Sequence, residues 1–380
     1  MTMNKYIYMF AAAGLVLAGC SENDVRNDID TEKAIDFVAN ASKTTKAEIT
    51  NEDELATAGG FVVWGYKAKT AATMDWTDGL VTVFNKQNVT PKASNEGSYI
   101  APDEETKVDN TAWTYSPKKY WDVNATYAFY AIAPLQPTDV TYSITGDNAG
   151  AKMIKIEGAT GNISTSAVDY LIDRNGNIGR KGSEDAWKNV DFTFNHIMAK
   201  LGFKVQRQAG VTATITVTEM KMTGWNSNAG TFTQSANATP NTIECSEWEQ
   251  SDGTAGSATL VGEGKTQTSV VLSTDNASEL TDKYIMVPQA ITYSKPDAGV
   301  ETGLTFSLKY TLSYTADQHN GTAYSEDFEV EGVIPSTQTW GTDSYTIYTV
   351  KVGPKPIEFD VESIVDWTNK PTLDPTTTIQ

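Results

Sequence analysis

The sequence predicts an all-β fold of β-sandwich type with few short helices. Three observations carry that prediction. Long runs alternate apolar and polar residues with a period of two. Clusters of glycine, asparagine, aspartate and serine separate those runs, and no long segment repeats its apolar residues every 3.6 positions. At 380 residues the chain is long enough for two domains, each with its own core.

The first element is not a strand. Tyr6 to Ala18 is a nearly unbroken apolar segment behind Lys5 and two possible start methionines, Met1 and Met3. A charged start and an apolar run too short to cross a bilayer comfortably make the profile of a secretory signal. Leu17-Ala18-Gly19-Cys20 then resembles a bacterial lipobox, where small residues mark the cut and the cysteine thiol carries the lipid. The reading is a signal peptide over 1–19 and lipidation at Cys20. Each buried methylene of an acyl chain adds about 0.8 kcal/mol of membrane affinity, so several chains hold a soluble domain firmly.

Ile35, Phe37 and Val38 give a short apolar strand, and "NEDELATA" (51–58) fits a helical turn, as does "NASELTDKY" (276–284). In "TATITVTEMKM" (212–222), Ala213, Ile215 and Val217 face away from Thr212, Thr214, Thr216 and Thr218. "GLTFSLKYTLSY" (303–314) puts Leu304, Phe306, Leu308, Tyr310, Leu312 and Tyr314 on one face. The β-branched and aromatic runs "YTIYTVKV" and "IEFDVESIVDW" close the chain's ordered pattern, and "NKPTLDPTTTIQ" (369–380) reads as extended. The polar, charged "RNGNIGRKGSEDAW" (174–187) precedes what reads as a strong strand pair, "VDFTFNHIMAKLGFKV" (190–205). That shift places a junction near residue 185, giving domains over 20–185 and 186–380.

Chemistry is sparse. Only His196 and His319 occur, the first expected in a hydrogen-bonded structural role and the second in a solvated turn. The zinc, C-x-x-C and G-x-S-x-G signatures are absent. "GEGKT" (262–266) lacks the earlier glycine of a phosphate loop and reads as a hairpin turn. "DRNGNIGRKGSE" (173–184) places Asp173, Asn175, Asn177 and Glu184 at calcium-loop positions. Ile178 stands where glycine must turn, however, and Arg174, Arg180 and Lys181 bring positive charge, so a basic surface loop is the reading. No enzyme, cofactor or metal is expected. The nine tryptophans read as core rather than glycan platforms. A net charge of −19 opposes nucleic-acid binding. With Cys20 lipidated, Cys245 has no partner for a disulfide.

Five segments in order resemble the fimbrillin family, the pilins and associated proteins of one class of Gram-negative surface fimbria. They are "AIDFVANASKTTKAEI" with "GGFVVWGYKA", "WTYSPKKYWDVNATYAFYAIAP" (113–134), "FNHIMAKLGFKV" with His196, Ala199, Leu201 and Phe203, "YIMVPQ" (284–289), and "YTIYTVKVGPKPIEFDVESIVDW". The resemblance implies two transthyretin-like β-sandwich domains in tandem and a mechanism of assembly. A precursor, lipid-anchored at the outer membrane, is cut by a trypsin-like protease, its first strand leaves, and a strand from the next subunit fills the groove. Here that implies Ile35, Phe37 and Val38 as the displaced strand and Lys46, or Lys43, as the cleavage site, with a propeptide to about 46. Ile357, Phe359, Val361, Val365 and Trp367, within 354–380, are implied as a donor strand or a fixed final strand. The function expected is a structural subunit of a cell-surface fimbrium with other fimbrial subunits as partners. The alternative is a tip or accessory adhesin binding a glycan or protein.

Overall fold

The computed structural model describes residues 29–41, 49, 51–68, 80–92, 113–122, 125–146, 152–161, 168–179, 189–234, 247–251, 256–282, 284–354 and 356–365. In chain order the strands are β1 (Ile29–Ala34), β2 (Phe37–Ala41), β3 (Phe61–Ala68), β4 (Val81–Pro91), β5 (Trp113–Thr114), β6 (Tyr120–Asp122), β7 (Thr126–Ala133), β8 (Thr141–Thr145), β9 (Met153–Thr160), β10 (Leu171–Gly179), β11 (Val190–His196) and β12 (Ala199–Arg207). They continue as β13 (Thr214–Thr223), β14 (Ala229–Thr233), β15 (Trp248–Gln250), β16 (Ser257–Val261), β17 (Val270–Leu272), β18 (Ser278–Glu279), β19 (Tyr284–Met286), β20 (Gln289–Ile291), β21 (Thr305–Tyr314), β22 (Tyr324–Val333), β23 (Gln338–Trp340), β24 (Ser344–Val352) and β25 (Glu358–Val365). The one α-helix among the described residues, α1 (Glu52–Thr57), is capped by Asn51, whose side chain accepts from the Glu54 amide.

Seven strands form the sheet β2-β11-β10-β7-β3-β4-β5, and its central strands β3 and β7 are buried on both faces, whereas β11 and β4 keep exposed residues. All eight residues of β7 are therefore buried, which explains why "TYAFYAIA" is continuously apolar instead of alternating. One face carries Phe61, Phe129, Phe192 and Phe194; the other carries Val62, Trp64, Tyr130 and Ile172. The second face packs on a four-stranded sheet, β15-β14-β9-β8, through Tyr142, Ile154, Ile156, Phe232 and Trp248. Strands from both sides of residue 185 thus share one sheet. Downstream, β12, β24 and β25 face β13, β21 and β22 across a core of Leu201, Phe203, Ile215, Phe306, Leu308, Tyr348 and Val350.

The alternation of 303–314 is kept: Phe306, Leu308, Tyr310 and Leu312 are buried and their neighbours are not. In β13 the phase changes midway. A bulge between Val217 and Glu219 lets Met220 and Met222 face the same core as Ile215 and Val217. Four expectations are corrected. The segment 190–205 is not a strand pair, because β11 and β12 enter different sheets and the strand is interrupted at Ile197 and Met198. "NASELTDKY" is not helical: Ser278 and Glu279 pair with Val205 and Lys204. Residues 174–179 are not a loop but the end of β10, paired with β7, and Asp173 accepts from the Thr193 amide at 2.8 Å. The turn at 262–266 links β16 and β17, which both pair with β13 instead of with each other. Trp113, Trp121, Trp225 and Trp340 are fully buried; Trp76, Trp187, Trp367 and Cys245 lie outside the described residues.

Burial raises the pKa of the Tyr115, Tyr142, Tyr284 and Tyr348 phenols, and pushes that of Tyr170 up to about 12. An unfolded tyrosine releases its proton near pH 10, so stability is whole below that pH. It falls above it by about 1.4 kcal/mol per pH unit for each such residue. In an alkaline titration these tyrosinates should absorb only as the β-sheet circular dichroism is lost. Ionisation near pH 10 with the sheet signal intact would contradict the packing.

Candidate functional site

The site is the edge of the seven-stranded sheet. β2 is its outermost strand and runs parallel to β11, with Phe37 opposite Val190 and Ala41 opposite Phe194. Alternation fixes its sidedness. Ile35, Phe37 and Ala39 are buried, whereas Asp36 and Val38 are half-buried on the opposite side.

Phe37 enters a chamber of rings. Phe192 stacks on it at 5.8 Å between centroids, and Phe84, Tyr115, Phe129 and Phe61 surround it at 5.4, 5.5, 6.1 and 6.4 Å. Such pairs contribute about 0.5–1.5 kcal/mol each beyond the area they bury. Polar contacts fix the entry to the strand. The Ile35 amide donates to the Lys119 carbonyl at 2.8 Å, and the Tyr115 hydroxyl donates to the Ile35 carbonyl at 2.6 Å. The Val190 amide donates to the Asp36 carbonyl at 2.8 Å. The Lys118–Asp36 ion pair at 3.0 Å is exposed and adds little. Ahead of it, β1 touches β6 at only two register positions, Ile29 with Asp122 and Ala34 with Tyr120.

The five rings come from β3, β4, the segment after β5, β7 and β11, spread over residues 61 to 192. None of these rings stands out in the sequence; the alternation of Phe192 and Phe194 in "VDFTFNH" is the signal that could have marked this face. Among the described residues no three His, Cys, Asp or Glu side chains gather as a metal site. What lines this edge among the described residues is apolar rings and strand backbone. It can hold a strand.

The other predicted element, β25, is the edge strand of its sheet and pairs antiparallel with β24 from Glu358 opposite Lys351 to Val365 opposite Ser344. Ile357, Phe359 and Val361 pack half-buried against the downstream core, with Phe359 5.7 Å from Phe306. Gly332 on β22 makes this approach feasible, because a Cβ there would lie 2.7 Å from Ile357 Cγ1 and 3.2 Å from Phe359 Cε2. Gly332→Val should therefore loosen β25 by about 1–3 kcal/mol. Hydrogen exchange should quicken over 358–365 and stay unchanged in β2; unchanged exchange in β25 would contradict the contact. The structure thus places β2 and β25 on separate sheets and does not bring them together. Cys20, Lys43, Lys46 and Trp367 lie outside the described residues.

No curated protein matches the sequence. Among solved structures, a fimbrial protein from Bacteroides vulgatus is similar over 87% of this chain and 99% of its own, at 17% identity and a TM-score of 0.55. The tip fimbrial protein Mfa3 from Porphyromonas gingivalis, with C-terminal truncation, is similar over 87% of this chain and 99% of its own, at 12% identity and a TM-score of 0.37. A fimbrial assembly protein from Parabacteroides distasonis is similar over 80% of this chain and 90% of its own, at 10% identity and a TM-score of 0.30. The first of these shares the fold. A family model described as fimbrillin-like matches residues 45–367, most of the chain, and the protein belongs to that family.

Proposed function

We propose that the protein is a structural subunit of a cell-surface fimbrium, exported as an outer-membrane lipoprotein precursor through Cys20. A trypsin-like protease cuts after Lys46, or after Lys43. The seven-stranded sheet then accepts a strand from another fimbrial subunit beside β11, and the C-terminal segment supplies one through Ile357, Phe359, Val361, Val365 and Trp367. No catalysis by this chain is involved.

The observation that carries the reading is the setting of β2: an outermost strand whose Phe37 fills a chamber of five aromatic rings. Lys43 and Lys46 follow its last residue, Ala41, so a cut at either leaves β2 held only by non-covalent contacts, its ladder with β11 and its packing. Its departure would expose an unpaired sheet edge and an apolar slot, which together favour strand addition. An incoming strand in the opposite direction would pair antiparallel, a ladder slightly more stable per residue than the parallel one it replaces.

The test is limited trypsin digestion of the purified chain. The expected product begins at residue 47 and forms a ladder of oligomers, and Lys43→Gln with Lys46→Gln should prevent both. A trimmed chain that stays monomeric would overturn the structural-subunit reading.

One observation favours a second reading, a tip or accessory adhesin that accepts a strand and binds a glycan or protein. β25 is paired with β24 along its whole length, as a fixed final strand would be. Deleting 354–380 separates the two readings, since it stops polymer growth only if the donor lies there.

A further inference from the structure

The downstream sandwich has a second open edge, unrelated to β2. β22 is the outermost strand of its sheet, ten residues long, and its outer edge pairs with no strand among the described residues. Its two faces differ sharply. Phe328 and Val330 face the core half-buried, while Asp327, Glu329 and Glu331 point to solvent in one row. The strand contains no lysine or arginine. Beside its end lies an apolar groove of about 630 Å³, floored by Val333, Ile334, Ile357 and Phe359 and rimmed by Glu331 and Glu358. The cations nearby are engaged already: Lys309 with Glu219 and Glu329, and Lys351 with Asp360 at 2.6 Å.

A long unpaired edge is a template for another strand, and charge decides which strand it accepts. Two copies of β22 edge to edge would set like carboxylates opposite one another, which is unfavourable. A strand with cations at alternate positions meets the opposite case. Its outward residues face Asp327, Glu329 and Glu331, and its inward residues extend the apolar cover over Phe328, Val330 and the groove. The chain's own segment after β25 is a poor match, since residues 366–380 hold one lysine, Lys370, beside Asp366 and Asp374.

We propose that the outer edge of β22 and the groove beside it dock an extended segment of another protein in which lysine or arginine alternates with apolar residues. The site is additional to the acceptor edge proposed at β2; it exists while β25 is in place, because Ile357 and Phe359 floor the groove.

The probe is a synthetic peptide alternating lysine and valine, with a twin carrying glutamate for lysine, added to the untrimmed chain. Hydrogen exchange is read residue by residue. The lysine peptide should slow the outward amides of β22 and leave β2 unchanged, and the glutamate twin should do neither. Asp327→Lys, Glu329→Lys and Glu331→Lys together should weaken the lysine peptide about tenfold or more and let the glutamate twin bind. Raising the salt should weaken both pairings, as expected for exposed charges. Four results would overturn the proposal. One is equal binding of the two peptides, and another is a β22 that stays unprotected. Amides already slow in the chain alone would mean that the chain's own residues cover the edge. Protection without peptide that grows with protein concentration would assign the edge to a second copy.

Discussion

Phe37→Ala should destabilise the upstream half of the molecule by about 3–5 kcal/mol, among the largest effects of any single substitution. The side chain sits in a chamber whose walls are themselves rings on five segments, so the cavity cannot close without moving several strands. The loss should be local in character. β2 should exchange its amides much faster and digest more readily, while the core around Phe203 and Phe306 keeps its protection. Phe37→Leu refills much of the space and should recover a good part of the stability. If Phe37→Ala unfolds at the same denaturant concentration as the parent, the chamber is not what holds β2.

The second large effect belongs to the crossing between the two halves. Asp169 and His196 are both buried, with His196 Nδ1 2.8 Å from Asp169 Oδ2. They sit where the chain leaves β11 for β12. Nearby, Ile197 donates to the Tyr170 carbonyl and Trp248 Nε1 donates to the Ile197 carbonyl at 2.8 Å. Asp169→Ala strands the imidazole nitrogen in a dry setting and should cost about 3–5 kcal/mol; Asp169→Asn keeps an acceptor oxygen and should restore much of it. Denaturant unfolding followed by tryptophan fluorescence reads both variants. Equal loss in the two would mean that shape, not the hydrogen bond, matters there.

Local patterns were legible in the sequence where one strand has one buried face. The run 303–314 shows this best, since its alternation survives intact in β21. The helical turn at 51–58 was legible from its cap and its acidic first turn. What escaped depends on neighbours far away in sequence. A bulge in β13 has no mark in "TVTEM" beyond a change of apolar parity. The polar, glycine-bearing 174–179 becomes strand because β7 supplies backbone partners to Arg174, Asn175, Ile178 and Gly179, with an irregularity between. "NASELTDKY" gives Ser278 and Glu279 to β12 instead, because Val205 and Lys204 supply backbone partners from far away in sequence. At the candidate site, the strand Ile35, Phe37 and Val38 could be read directly. Its parallel pairing and its ring of aromatic walls could not, because those residues span more than a hundred positions between Phe61 and Phe192.

The proposed assembly is tested most directly by cross-linking between differently labelled chains. Two preparations, one isotopically heavy, are mixed, trimmed with trypsin and cross-linked, and linked peptides are sorted by mass. The account predicts heavy–light links between β11 of one chain and residues 358–365 of another, in the place that β2 occupies in the precursor. Links found only within single chains, with β2 still bound to β11 after the cut, would contradict it.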